Sequence, residues 1–351
     1  MGGQKRPGKK KLSKRKRQKY KVIGLIVLII VILFLLVIAY VASKWNKMGR
    51  VSFDIGDLSI NELSLGTEKA MENYTTLALF GLDNRSNGNF ESGNSDSIII
   101  VSINNKTGEI KMASVYRDSY LDIGDGNFNK ANAAYNRGGP KQAISMLNKN
   151  LDLNITDYVS VDFNAVVDVV DAVGGIELEI TEAEAQYING YIDEIVSVTG
   201  KSSNHIGAGY QTVDGTQATA YARIRYTSGS DFKRTERQRL VISKVFEKAK
   251  QADLGTLNTI LNSVLPEVST SLEITEMLAM LPNVTKYNMG ENIGFPYEHK
   301  TMDIGSVTYA EVPVNFLEGV TQLHQFLYSS ETYEPSSAVI EIDATISNYT
   351  G

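Results

Sequence analysis

An uncharged apolar segment near the N terminus constrains this chain more than any other feature. Residues 22–42 read VIGLIVLIIVILFLLVIAYVA and contain no charged side chain over 21 positions. At about 1.5 Å per residue, a helix of this length spans about 31 Å, which matches a bilayer hydrocarbon core of about 30 Å. The apolar core of a cleaved signal peptide usually has only about 7–15 residues. The segment therefore predicts one uncleaved transmembrane helix.

The charges on either side of this segment predict its orientation. Residues 1–21 contain eleven of the 35 Lys and Arg residues and no acidic residue. The rest of the chain has 24 basic and 40 acidic residues, a balance of −16. The positive-inside rule then makes residues 1–21 a cytoplasmic tail and places the acidic body outside the cell. We expect a single-pass type II protein of the cell membrane that does not bind nucleic acid.

The extracellular part has the pattern of a folded domain between two simpler segments. Residues 43–74 are weakly periodic and predict a stalk, and residues 330–351 are polar and predict a flexible tail. In residues 75–329, strand-like runs alternate with helical ones, which indicates an α/β (α+β) fold with a central mixed β-sheet covered by helices. The chain has no cysteine, which excludes disulfides, thiolate catalysis and cysteine–metal sites.

Charged side chains follow two of the predicted strands. The run TTLALFGLD ends at Asp83, and another strand ends just before Arg117. Ligands of open α/β sheets bind beyond the carboxyl ends of the strands, so both residues are candidates for a site. Asp83 and Asp96 also flank a loop, and together they could hold Mg²⁺ or Mn²⁺ through carboxylate oxygens. The alternative is that both aspartates only cap the loop, because Asp is a common turn former.

The stretch YARIRYTSGSDFKRTERQRL, residues 221–240, carries six cations. In an extended segment, Arg223 and Arg225 would lie on one face. Asp231 is a candidate cap for the following helix, in which Arg234, Arg237 and Gln238 would share one face. Arginine suits the bidentate binding of phosphate, and an anion would offset the cost of placing cations in a first helical turn.

Two interpretations of this stretch remain open from its spacing. One is an ion-pair network between the arginines and the acids of the body, and the other is a site for a polyanionic ligand. In either case we expect Lys233 and Arg239 to be surface charges. The spacing leaves the role of Arg237 undecided.

Six motifs in a fixed order resemble the LytR-CpsA-Psr family of cell-wall enzymes over about residues 75–250. They are GLDNR (81–85), SDSIII (95–100), SVYRD (114–118), KANAAYNRGG (130–139), VDAVGGIEL (170–178) and DGTQATAYARIRY with DFKRTERQ (214–238). The resemblance implies a membrane-anchored extracellular domain. It also implies transfer of a glycopolymer with one phosphate from an undecaprenyl-pyrophosphate-linked donor to peptidoglycan, at the C6 hydroxyl of N-acetylmuramic acid. The alternatives are a pyrophosphatase acting on the same donor and a non-catalytic regulator of envelope synthesis.

The resemblance also assigns roles to particular residues. Asp83 and Asp96 match the acids associated with Mg²⁺. The positions that match pyrophosphate-binding or motif residues are Arg85, Arg117, Lys130, Arg223, Arg225, Arg234 and Gln238. Asp83, Asp231 and Arg117 are the candidate catalytic residues, with either aspartate as the base that activates the hydroxyl. The chain departs from the family pattern at Tyr116, where Pro is usual, and at Asn94, where Arg is frequent.

Overall fold

A computed structural model describes most of the acidic body. The described residues are 49–50, 53–82, 90, 93–226, 230–273, 276, 283–330 and 332–350. They all belong to the second of the two units into which the chain divides, Met48–Gly351. The predicted basic tail and transmembrane segment lie outside the described residues. None of the helices within these ranges is long and apolar enough to span a bilayer.

The described part of the chain alternates strands and helices, as the sequence predicts. The strands are β1 (Gly49–Arg50), β2 (Tyr74–Leu82), β3 (Ser95–Asn104), β4 (Glu109–Val115), β5 (Tyr120–Asp122), β6 (Phe128–Lys130), β7 (Asp157–Val161), β8 (Ile176–Ile180), β9 (Gly209–Val213), β10 (Val268–Thr270), β11 (Asn288–Phe295), β12 (His299–Ile304) and β13 (Val307–Pro313). The helices are α1 (Leu65–Met71), α2 (Ala133–Leu151), α3 (Phe163–Ala172), α4 (Glu182–Thr199), α5 (Gly215–Tyr221), α6 (Ser230–Lys250), α7 (Leu254–Ser263), α8 (Phe316–Tyr328) and α9 (Ser337–Thr350).

A seven-stranded mixed sheet forms the centre, in the order β1-β10-β7-β2-β3-β4-β11. The pairs β1/β10, β7/β2 and β4/β11 are parallel, and the other three pairs are antiparallel. Alternate residues of β2 are buried because one face of the strand packs against the main core. This arrangement confirms the predicted mixed sheet with covering helices.

The direction of β3 brings its first residues to the functional edge of the sheet. Because β3 is antiparallel to both β2 and β4, it starts where those two strands end. Leu82 at the end of β2 is paired with Ser95 at the start of β3. Asp96 therefore lies at the same edge as Arg117, which follows β4 by two residues.

A second apolar cluster anchors the arginine-rich stretch. Residues of α4, α5 and the antiparallel pair β8/β9 contribute to this cluster, and they include Ile188, Val213 and Ala220. Ile224, which separates the two arginines of the Arg-x-Arg pair, is fully buried in it. Burial of this one side chain fixes where the flanking arginines leave the core.

Both ends of the folded body extend further than the sequence analysis expected. In the segment predicted as a stalk, Leu58 and Met71 are buried in the main core, and α1 starts at a cap in which Ser64 Oγ accepts a hydrogen bond from Thr67 N. The segment predicted as a flexible tail contains α9, whose Val339, Ile342 and Ile346 are buried. The physical reason is that the apolar positions of this tail fall on one helical face, which the core covers.

The packing of α9 predicts a difference between two isoleucines of the same helix. Ile346 is fully buried, whereas Ile340 is 52% exposed. We expect Ile346→Ala to lower the free energy of unfolding by about 2–5 kcal/mol, and Ile340→Ala to change it by less than about 0.5 kcal/mol. Urea unfolding of the purified full-length chain measures both values. Equal midpoints for the two variants would show that α9 does not pack as described.

Candidate active site

Asp96 connects three arginines that come from different parts of the chain. Its Oδ1 accepts a hydrogen bond from Arg117 Nη1 at 2.9 Å, and its Oδ2 accepts one from Arg225 Nη2 at 3.2 Å. Arg234 Nη2 donates to the backbone carbonyl of Asp96 at 3.1 Å. The tertiary structure thus brings together the end of β4, the segment after α5 and the first turns of α6 around the start of β3.

Asp231 contacts the same three guanidinium groups from the other side. It lies in the first turn of α6, and its Oδ2 is 3.2 Å from Arg117 Nε. Its Oδ1 is 3.7 Å from Arg225 Nε and 3.4 Å from Arg234 Nη1. The two carboxylates offset the mutual repulsion of three cations that would otherwise oppose this arrangement.

The pKa of the Asp96 carboxyl is lowered, because the neighbouring arginines more than offset the effect of burial. Burial by itself would raise the pKa of this carboxyl. The charges of Arg117, Arg234 and Arg225, with the hydrogen bond from Arg117, more than offset burial and hold the pKa below its usual value. Asp96 is therefore a carboxylate at neutral pH, which suits the binding of a cation.

Arg234 is the least satisfied of these cations. Its side chain is only 2% exposed, and burial lowers its pKa to about 10. Its Nε makes no hydrogen bond within the described residues, and its Nη1 has only the ion pair with Asp231 at 3.4 Å. The buried Oε1 of Gln238, one helical turn further along α6, also lacks a hydrogen-bond partner there. A buried guanidinium that is still charged at neutral pH, with donors left over, favours an anion beside it.

Arg223 and Lys130 lie at the periphery of this group. Arg223 Nη2 is 3.2 Å from Glu194 Oε1, and the guanidinium lies 4.5 Å above the ring of Phe163. Lys130 on β6 contacts Asp118 Oδ1 at 3.0 Å, and Asp118 in turn accepts from Arg117 Nε. Lys130 is thus linked to Arg117 through one carboxylate.

A mostly apolar cavity of about 130 Å³ opens beside the arginines. Leu79, Val161, Val166, Val241 and Ile242 are among its apolar lining residues. Its polar lining residues include Asp96, Arg223, Arg225, Arg234 and Gln238. The site can therefore accept an amphiphile, with an anionic group at the arginines and an apolar chain in the cavity.

A second, polar pocket adjoins the first. Asp96, Arg223 and Arg225 line both cavities. The polar pocket adds Arg117, Asn94, Tyr191 and Tyr226 to its walls. Both arginines of the Arg-x-Arg pair, Arg223 and Arg225, thus line the two cavities.

Of the two predicted metal ligands, only Asp96 is among the described residues. Asp83 lies outside them, and so does the predicted pyrophosphate-binding residue Arg85. Each oxygen of Asp96 accepts one arginine hydrogen bond, and an ionised carboxylate keeps further lone pairs for a cation. Asp96 therefore fits the role of a Mg²⁺ ligand.

An acidic cluster next to Arg117 includes two residues, Asp118 and Glu311, that were not site candidates from the sequence. Carboxylate oxygens of Asp118, Asp231 and Glu311 lie within 4.8 Å of one another and could hold a metal ion. Glu311 comes from β13, almost two hundred residues after Asp118, so no local motif indicates it. Its Oε2 is buried and has no hydrogen-bond partner in the part of the chain that the structure describes. Burial, with the negative charges of Asp118 and Asp231, raises the pKa of Glu311 to about 7.

Of the two cations of the 221–240 stretch that were predicted at the surface, Lys233 and Arg239, only Lys233 lies there. Lys233 is at the surface, where it pairs with Glu236 at 2.6 Å, as predicted. Arg239 was also predicted at the surface, but it is buried and donates to Asn292 Oδ1 and Ser114 Oγ. The prediction is wrong because this face of α6 packs against β11 and β4, which supply neutral acceptors.

Arg237 is structural in this arrangement. Its Nε donates to Glu184 Oε1 at 2.7 Å, and the same glutamate completes the capping box of α4 with Thr181. Arg237 thus joins α6 to the start of α4 on the side away from the apolar cavity. Arg234 and Gln238, four residues apart, line the cavity, whereas Arg237, which the spacing placed on the same face, does not.

A mixed α/β domain with a cluster of arginines beside an apolar cavity has room for an amphiphilic anion. The model of the LytR_cpsA_psr family matches residues 44–318 of this chain. The chain belongs to the LytR_cpsA_psr family.

Two relatives with similar sequences carry different functional names, one of a transferase and one of a regulatory protein. A polyisoprenyl-teichoic acid–peptidoglycan teichoic acid transferase, TagU of Bacillus cereus, is 30% identical over 258 residues, which are 71% of this chain and 78% of TagU. Biofilm regulatory protein A of Streptococcus mutans is 31% identical over 256 residues, which are 68% of this chain. The match spans only 60% of the length of that second relative.

A solved structure shares the fold. The family protein TagT, determined with bound octaprenyl pyrophosphate lipid, superposes with a TM-score of 0.57 at 22% identity. The likeness covers 80% of this chain and 100% of the TagT chain. It supports the mixed sheet and covering helices described above.

The raised pKa of Glu311 predicts how stability depends on pH. Its pKa in the folded protein is about 7, above the ordinary value of 4.5, so the fold prefers the protonated carboxyl. Its contribution to the free energy of unfolding is therefore fully present below about pH 4.5 and is lost as the pH rises towards about 7. We expect Glu311→Gln, which mimics the protonated acid, to become more stable than the wild type by up to about 3 kcal/mol over this range.

Urea unfolding between about pH 4.5 and 8 tests this prediction. The control is Glu318→Gln on α8, which replaces an exposed acid and should follow the wild type at every pH. A Glu311→Gln profile parallel to that of the wild type would contradict a protonated Glu311.

Proposed function

We propose that this protein transfers a glycopolymer, together with one phosphate, from a polyprenyl-pyrophosphate-linked donor to peptidoglycan. The acceptor in this proposal is the C6 hydroxyl of N-acetylmuramic acid. The transferase name of TagU and the octaprenyl pyrophosphate bound by TagT support the reaction class and the donor. The protein is anchored by residues 22–42 with its folded body outside the cell, where peptidoglycan is accessible.

The observation that carries this proposal is the incompletely paired, buried guanidinium of Arg234 beside an apolar cavity. A pyrophosphate diester has two negative charges and many acceptor oxygens, so it can take the donors that Arg234 leaves free. The polyprenyl chain would fill the cavity lined by Val241 and Ile242. A free sugar phosphate could bind the arginines but has no apolar group that would fill the cavity.

The reaction breaks the phosphoanhydride bond of the donor. The acceptor hydroxyl attacks the phosphorus that carries the glycan, a new P–O bond forms, and polyprenyl phosphate leaves. Negative charge grows on the departing phosphate, where fixed cations stabilise the transition state most. Arg117, Arg225 and Arg234 are held in place before the donor binds, so little reorganisation is needed during the reaction.

The hydroxyl must lose its proton to a base, and Asp83 and Asp231 are the candidates. Asp231 lies beside the arginines and is linked through Arg117 to Asp96. Bound Mg²⁺, held by Asp83 and Asp96, would supply further positive charge to the pyrophosphate oxygens. The chain's own residues orient the donor and exclude water from the apolar side of the site.

Two other functions use the same site. A pyrophosphatase would release free glycan phosphate instead of attaching it to an acceptor. A regulatory role is favoured by the name of Biofilm regulatory protein A. Product analysis with a lipid-linked donor distinguishes all three, because they yield glycan phosphate on peptidoglycan, free glycan phosphate or no product.

Removal of one arginine tests the assignment of the site. We expect Arg225→Ala to lower kcat/KM for transfer by about 10- to 100-fold, since it removes a charge-assisted hydrogen bond of about 1.5–3 kcal/mol. Lys233→Ala is the matched control, because it removes a cation of the same stretch that pairs with Glu236 at the surface. Transfer is measured with a lipid-linked donor and purified peptidoglycan. Equal activity of the two variants would refute the proposed site.

Dependence on a divalent cation is a separate prediction. Chelation with EDTA should abolish transfer, and added Mg²⁺ or Mn²⁺ should restore it, because both ions prefer carboxylate and phosphate oxygens. We expect Asp96→Asn to raise the concentration of Mg²⁺ needed for half-maximal activity. Full transfer in EDTA would exclude the metal from the reaction.

A further inference from the structure

The polar pocket extends beyond the arginines to a group of tyrosines. Tyr191 and Tyr226 line the polar pocket but not the apolar cavity, and so does Asn94. Tyr191 comes from α4, and Tyr226 follows Arg225 directly in the chain. Arg117 is the only charged residue among the four that line the polar pocket alone, so this part of the site combines one cation with an amide and two aromatic rings.

Tyr226 is exposed, although its ring lies close to another aromatic ring. The residue is 72% exposed, and its ring centroid is 5.7 Å from that of Tyr187 on α4, with 41° between the planes. Arg223 lies 5.8 Å from the ring of Tyr191. An exposed aromatic ring beside a binding pocket offers apolar area that a ligand can cover, and Tyr187 limits the positions that the ring of Tyr226 adopts.

The two cavities determine which part of the donor meets these rings. A diphosphate has the lipid on one side and the first sugar of the glycan on the other. Asp96, Arg223 and Arg225 line both cavities, so a diphosphate placed there has the apolar cavity on one side and the polar pocket on the other. With the lipid in the apolar cavity, the first sugar must enter the polar pocket.

A sugar ring matches the chemistry of this pocket. Its C–H face is apolar and can lie against an aromatic ring, while its hydroxyl groups donate and accept hydrogen bonds. The amide of Asn94 offers both a donor and an acceptor, and the hydroxyl of Tyr226 does the same.

We propose that Tyr226, supported by Tyr187 and joined by Tyr191 and Asn94, forms the subsite for the first sugar of the donor. The inference rests on the proposed function, because it takes the position of the diphosphate from it. Tyr226 covers one face of the sugar ring, and Asn94 binds its hydroxyl groups. This subsite selects donors that carry a sugar over bare polyprenyl pyrophosphate.

Calorimetric titration of the full-length chain with two lipids tests this subsite. The probes are octaprenyl pyrophosphate and octaprenyl pyrophosphate carrying one N-acetylglucosamine. We expect the wild type to bind the sugar-bearing lipid more tightly. Tyr226→Ala should weaken that binding by about two- to tenfold and leave octaprenyl pyrophosphate unaffected, whereas Tyr226→Phe should retain most of the affinity.

The control is Tyr309→Ala, which removes a ring of similar exposure, 73%, from β13. It should bind both lipids as the wild type does. The subsite is refuted if the wild type binds both lipids equally, or if Tyr226→Ala weakens the binding of both lipids equally or of neither. Absence of octaprenyl pyrophosphate binding by the wild type would instead overturn the proposed function, and the subsite with it.

Discussion

The site depends on two aspartates that hold three arginines together. Arg117, Arg225 and Arg234 would repel one another if they converged in an empty pocket, and Asp96 and Asp231 offset that repulsion by contacting all three. The compensation is incomplete at Arg234, which keeps unused donors. The same arrangement therefore stabilises the free protein and leaves it ready for an anion.

The sheet topology explains how such distant residues meet. An antiparallel β3 between β2 and β4 places its first residues at the edge where its neighbours end. Loops of α/β proteins carry function because the strands beneath them are rigid, and Arg117 and Asp96 each lie within two residues of a strand end or start. The arginines of the 221–240 stretch reach this edge because buried Ile224 and the first turns of α6 fix their backbone.

The structure shows the ion-pair network of the 221–240 stretch, and the anion site that we propose uses the same guanidinium groups. Sequence analysis treated the network and the site as alternatives. In the structure the ion pairs orient the guanidinium groups, and the apolar cavity beside them gives the site its amphiphilic character. Asp231, considered first as a helix cap, contacts three arginines at once.

The sequence by itself determined the alternation of strands and helices, the strand end before Arg117, and the pairing of Arg234 with Gln238 on one helical face. These features follow from local spacing, which the period of a helix or strand carries directly. Only the tertiary structure decided that Arg239 is buried while Lys233 is exposed, that Glu311 joins Asp118 and Asp231, and that α9 packs on the core. Each of those outcomes depends on which distant surface covers a residue, and spacing along the chain contains no information about that surface.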